Sequence, residues 1–247
     1  MALYRDEGVV LRTIRLGEAD RIVTLATPEH GKVRAVAKGV RKTKSRLGGR
    51  VEPLSYVSML CWHGRELDTI TQVEVIDHFR PIREDLERMS QAMTMLEVVD
   101  QVAVERHAMP ELFRMLVAAL RTLAETPSPL VAGAFLWKLL TLEGLGPVVD
   151  RCARCGSDAP LVAFDLAEDG FLCSGCRRGQ GVNPATVTLV RRILGGDLAR
   201  VLDEPPSAVT REMERLVILA VEHHLDRRLR SPAATAYAHL PVVGRGG

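Results

Sequence analysis

Aromatic side chains are scarce in this sequence, at 4% of 247 residues. Long apolar runs are missing too. The best candidate, Leu130–Leu142, is interrupted by Lys138 and followed by Glu143, which is too short and too charged for a membrane span. The opening Met1-Ala2-Leu3-Tyr4-Arg5-Asp6-Glu7 carries acids where a secretory signal needs an apolar core, so a cytoplasmic location is expected. Net charge is nearly absent: 33 Lys and Arg against 31 Asp and Glu leave +2, so any charged partner must be read from distribution rather than total. Catalytic signatures are absent as well. There is no glycine-rich phosphate loop ending in Gly-Lys-Ser/Thr, no G-x-S-x-G elbow and no H-E-x-x-H helix, so no enzyme is expected. With 47% hydrophobic and 26% charged residues, the chain is globular rather than wholly disordered.

The pattern changes character near residue 80. Before it, short β-rich stretches alternate with turn residues, giving expected strands at Gly8–Arg15, Asp20–Ala26, Lys32–Lys38, Leu54–Trp62 and Glu66–Asp77. In Lys32–Lys38, Val33, Ala35 and Ala37 take one face, and Lys32, Arg34 and Lys38 share the other with Val36. Five strands in so short a segment suggest a small barrel of the oligonucleotide-binding (OB) type, with a small open sheet as the alternative. After Pro81 the period becomes helical. Leu86, Met89, Met93, Leu96, Val99 and Ala103 form one stripe, and Leu112, Phe113, Leu116, Val117, Leu120 and Leu123 form another after Pro110. A third helix over about Leu130–Glu143 is apolar nearly all round and should be the centre of a helical domain. Two more are expected near Pro184–Leu194 and Ser207–Arg230, the last capped by Ser207. The fold class is therefore multi-domain α+β. Residues 1–80 form the barrel, 81–150 with 181–232 a helical domain and 151–180 a cysteine module, and 233–247 are a tail.

Four of the five cysteines fall in two knuckles, Cys152-Ala153-Arg154-Cys155 and Cys173-Ser174-Gly175-Cys176, 17 residues apart. That spacing suits one tetrahedral zinc ion, because two intervening residues let the backbone curl both sulfurs onto one metal. Gly156 and Gly175 fit tight turns at the knuckles, and Arg154, Arg177 and Arg178 would offset the negative charge. Four unrelated cysteines, or an iron–sulfur cluster, are the alternatives; ferredoxin spacings differ from this one. A zinc ion with four thiolates has no open position for water, so its role would be structural. Cys61, on an expected strand, reads as a small core residue.

Charge is concentrated at the front. Residues 1–50 hold twelve cations and five acids, and Lys38 to Arg50 holds six cations and no acid. Lys32, Arg34, Lys38, Arg41, Lys42, Lys44 and Arg46 are the candidate phosphate contacts for nucleic acid. A solubilising loop without a ligand is the bland alternative. With so few rings for stacking, binding should be mainly electrostatic and tolerant of sequence. Neutralising about five phosphates of single-stranded DNA predicts a log–log salt slope of roughly −3.5. His223-His224 and the Met89, Met93, Met95 group read as ordinary helix and core residues.

Several stretches resemble one family. They are Gly17-Glu18-Ala19-Asp20-Arg21-Ile22-Val23-Thr24-Leu25, Gly31-Lys32, Lys38 through Arg46, Leu142-Glu143-Gly144-Leu145-Gly146-Pro147, Cys152 through Gly156, and Gly170-Phe171-Leu172-Cys173-Ser174-Gly175-Cys176. In that order they are similar to the bacterial recombination mediator family RecO. The resemblance implies an N-terminal OB domain, a helical domain with an inserted zinc module, and work without covalent chemistry. It further implies binding to single- and double-stranded DNA, annealing of complementary strands, and cooperation with RecR in helping RecA displace single-strand-binding protein. The competing expectation is a zinc-ribbon RNA-binding or transcription-associated adaptor using the same cations.

Overall fold

The computed structural model describes residues 2–42, 45 and 47–231, which fall into two compact units dividing between Glu125 and Thr126. Lys44, Arg46 and the tail 233–247 therefore lie outside the described residues.

The first unit begins with β1 (Leu3–Leu16), β2 (Asp20–Thr27), β3 (Gly31–Ala37), β4 (Tyr56–Trp62) and β5 (Asp68–Asp77). They close into a barrel in the order β1-β2-β3-β5-β4, antiparallel except where β3 runs parallel to β5. The open sheet is excluded. Strand β1 serves two partners, pairing Leu3–Val9 with β4 and Val9–Leu16 with β2, with a bulge between Val10 and Arg12. It starts earlier than its sequence suggests because its first inward positions are Tyr4 and Asp6 rather than aliphatic residues. Tyr4 donates to Asp68 at 2.5 Å, and Asp6 faces His30 at 2.7 Å. Strand β4 starts later, since Leu54 turns at φ 76°. Inside, Val23, Leu25, Ala35, Ala37, Val57 and Cys61 are wholly buried, which confirms the alternation read along β3.

Three helices complete this unit: α1 (Arg80–Arg83), α2 (Leu86–Val102) and α3 (Pro110–Glu125). The six apolar positions expected on α3 are its six buried residues. Helix α2 buries Leu96 and Val99 of its expected stripe, and Ala103 just after it, but departs from that stripe elsewhere. Leu86 is 88% exposed, and the buried face runs through Ala92, Met95, Leu96, Val98 and Val99 with the polar Gln91, Thr94 and Asp100. Leu86 directly follows the N-cap, where Asp85 accepts from the Glu87 and Arg88 amides, so it projects before packing begins. The connector between α2 and α3 lies along β3, with the Lys32 amide donating to the Val104 carbonyl at 2.9 Å. Gly31, at φ 63°, is obligatory there, because a Cβ would stand 2.0 Å from the His107 carbonyl oxygen.

Burial pushes the Cys61 thiol up to about 12, and burial together with the bond to Glu7 pushes the Tyr56 hydroxyl up to about 12. Unfolded, these groups lose protons from about 9 and 10, so neither contributes a pH effect below 9. Between pH 9 and 12 the unfolded state gains by ionising and the fold loses stability. The urea midpoint should fall over that range, and Tyr56→Phe should flatten part of the fall; a constant midpoint would contradict this.

The second unit contains α4 (Val131–Leu142), β6 (Leu161–Asp165), β7 (Gly170–Cys173), β8 (Gln180–Gly181), α5 (Pro184–Leu194), α6 (Leu198–Leu202) and α7 (Ala208–His224). Helix α4 is buried on nearly every side, as expected, and packs against α5 and α7. Ser207 forms a reciprocal capping box with Thr210 at the start of α7. The short strands form a sheet in the order β7-β6-β8. Its Phe164 meets Trp137 of α4 edge-on at 6.0 Å, joining the cysteine module to the helices.

Candidate nucleic-acid interface and metal centre

The two cysteine knuckles converge. The Sγ atoms of Cys152, Cys155, Cys173 and Cys176 all lie within 4.8 Å of one another. Cys155 and Cys173 are 3.8 Å apart, and a regular tetrahedron of 2.3 Å Zn–S bonds has edges of about 3.8 Å. The donor set and its size thus fit a metal ion. Local backbone geometry builds the first knuckle, with the Gly156 amide donating to the Cys152 carbonyl at 2.9 Å and Gly156 at φ 71°. Gly175 has open space where a Cβ would stand and is not among the positive-φ residues, so the second knuckle does not depend on a glycine there. The glycine that matters is Gly179, at φ 72° and pressed against the Phe164 carbonyl.

Backbone N–H groups of Cys173 and then Cys155 favour the Cys152 thiolate and hold it down to about 6. Cys176 is pushed up, chiefly through hydrogen bonding with Cys155. Arg178 pairs with Glu168 and, at 3.3 Å, with Asp165, while Arg154 reaches Glu168 at 4.0 Å. Of the three arginines expected to offset the charge of the cluster, Arg154 and Arg178 thus share their guanidiniums with carboxylates.

The cations of the first unit divide into two sets. Lys32 is not a surface contact. Its ammonium donates to the Asp100 carbonyl oxygen at 2.7 Å, its side chain is only 16% exposed, and Asp100 also holds Arg12 at 2.6 Å. Asp100 lies on α2, 68 residues along the chain, and its carboxylate stands 3.9 Å from the ammonium. Arg34 lies 3.8 Å from Glu105 and is partly exposed. Lys38, Arg41 and Lys42 are exposed beside the β1–β2 turn. Their segment is tied down by its backbone: the Gly39 amide donates to Asp20 and the Arg41 amide to the Ala19 carbonyl. Arg41 also donates from its guanidinium to the Glu18 carbonyl. A basic stretch is thus fixed at the mouth of a closed five-stranded barrel, where such folds take oligonucleotides.

The family model "Recombination protein O N terminal" matches residues 1–79, and "Recombination protein O C terminal" matches residues 83–233. The chain belongs to the RecO family. A relative from Frankia casuarinae, named DNA repair protein RecO, is 43% identical over 237 residues, covering 94% of this chain and 97% of the relative. RecO proteins act in DNA repair and recombination, which fits the barrel and its basic mouth. Among the described residues, no helix is long and apolar enough to cross a membrane.

Proposed function

We propose that this chain is a recombination mediator that binds single- and double-stranded DNA and anneals complementary strands. With RecR, it promotes RecA loading onto strands coated by single-strand-binding protein. It works in the cytoplasm at the nucleoid and performs no covalent chemistry. Residues 1–80 bind DNA, 81–150 with 181–232 form the helical domain, and 151–180 hold one structural zinc ion through Cys152, Cys155, Cys173 and Cys176. The zinc would supply fold stability and leave no open position for water.

The observation that carries this reading is the acid-free run Lys38–Lys42, its three cations exposed and its backbone anchored at the mouth of the barrel in a RecO-family chain. Lys38, Arg41 and Lys42, extended by Lys44 and Arg46, neutralise phosphates, and Arg34 contributes from the neighbouring strand. Lys32 keeps a structural task instead. Cations that hold two strands loosely lower their mutual repulsion and leave the bases free to pair.

Annealing of complementary oligonucleotides, with and without single-strand-binding protein, tests the proposal. Annealing should occur in both cases, and affinity for single-stranded DNA should fall with salt at a log–log slope of about −4, one phosphate for each of these six cations. Tighter binding to structured RNA than to either DNA would favour the adaptor reading over this one, and a flat salt response would count against phosphate contacts by these cations in either reading.

A further inference from the structure

The outer face of the barrel carries a second feature besides its cations. Successive cross-strand partners join Ile14 to Ile22, Ile22 to Val36, Val36 to Thr69, Thr69 to Trp62 and Trp62 to Leu3, one row across every strand. Directly opposed residues share a face. The adjacent Val23, Ala35, Cys61 and Ile70 are at most 3% exposed and point inward, so this row points out. Ile14, Leu3 and Trp62 are 48%, 47% and 44% exposed. Two residues further along β2, on the same face, Thr24 is only 1% exposed where α2 and α3 pack on the strand. The helices thus cover one part of the outer face and leave Ile14, Leu3 and Trp62 open, with Ile22, Val36 and Thr69 half-buried in the row. Among the described residues, every other Phe, Tyr or Trp is buried or half-buried.

The borders of the row are cationic. Arg34, 3.8 Å from Glu105, flanks Val36 on its own face, exposed Lys38 follows just past the end of β3, and exposed Arg5 stands two residues from Leu3. Arg34 has a buried Nε without a hydrogen-bond partner. Arg65 follows in the β4–β5 loop. Asp20, the acid on this face of β2, accepts from the Gly39 amide, while Glu18 and Glu66 sit in turns at the ends. An apolar strip edged by positive charge complements a run of unpaired bases edged by phosphates. It does not complement a duplex, whose base faces are hidden in the stack.

We propose that this row, anchored by Trp62, is a platform on which unpaired nucleobases stack, giving the barrel a preference for single strands over duplex. The proposal rests on the nucleic-acid-binding function above and adds the bases to its ligand. Binding is then not purely electrostatic, despite the scarcity of rings.

The test compares a short oligothymidylate, an abasic deoxyribose-phosphate chain of equal length, and a duplex, on the full chain. Trp62→Ala should weaken oligothymidylate binding about 5- to 100-fold and leave the other two unchanged, while Trp62→Phe retains most of the affinity. In the wild type, tryptophan emission should be quenched by oligothymidylate and not by the abasic chain, since Trp137 is fully buried. Unchanged oligothymidylate binding in Trp62→Ala, or equal losses for all three ligands, would overturn the platform while the cationic track stands. A change in self-association with no change in binding would assign the row to a second copy of the chain instead. If the wild type binds none of the three, the proposed function itself fails.

Discussion

Stripping metal from the chain, or replacing Cys155 with Ser, is expected to unfold the cysteine module and loosen the helices of its unit while the barrel keeps its transition. The module has little else to hold it. Its strands are five, four and two residues long, below what a sheet needs to stand alone. Structural zinc binding supplies on the order of 10 kcal/mol in small modules, and that energy is folding energy. Cys155 is the informative position because it is exposed, so its truncation costs little apolar burial. The loss should spread through Phe164 to Trp137, and through the His224–Asp169 and Arg191–Asp150 pairs at 3.3 and 3.0 Å. Metal analysis should return one zinc per chain, and hydrogen exchange should show protection lost over residues 148–181 first. A metal-free chain with the same transition as the metal-loaded one would remove the structural role.

Reversing Lys38, Arg41 and Lys42 to Glu should abolish annealing with little effect on the thermal transition. Three contacts at about 1 kcal/mol each amount to roughly a hundredfold in Kd. Removing three phosphate contacts should also flatten the log–log salt slope on single strands by about 2. Lys32→Met provides the contrast. It should lower stability by leaving Asp100 with Arg12 alone, and it should leave the salt slope nearly unchanged. Retained annealing in the triple reversal, or a collapsed slope in Lys32→Met, would reverse this division of the cations.

That division shows where sequence reading stops. On β3 the alternation is local, and Val33, Ala35 and Ala37 pack inward as their spacing requires. Lys32 and Lys38 look alike on that pattern, since both fall on the polar face of the expected strand Lys32–Lys38. Only the arrival of α2 separates them by placing Asp100 beside the first. The α2 stripe held at Leu96, Val99 and Ala103 but missed part of the buried face for a related reason: the helix is buried against more than one neighbour, so polar Gln91, Thr94 and Asp100 face inward while Leu86 does not. The platform residues were hidden differently. Ile14, Ile22, Val36 and Trp62 are far apart in sequence, and each alone reads as ordinary strand material.

The sequence by itself determined the barrel's strands, the apolar face of α3, the buried centre at α4, the capped start of α7 and the cysteine quartet. These rest on periodicity, turn chemistry or ligand spacing within a few residues, and local sterics enforce them wherever the chain goes. Tertiary structure alone decided which cations remain free, which arginines are taken by Asp165 and Glu168, and that an apolar row stays open on the outer barrel. Those outcomes depend on which distant segments become neighbours, because a charge or an exposed side chain acquires its role from what packs beside it.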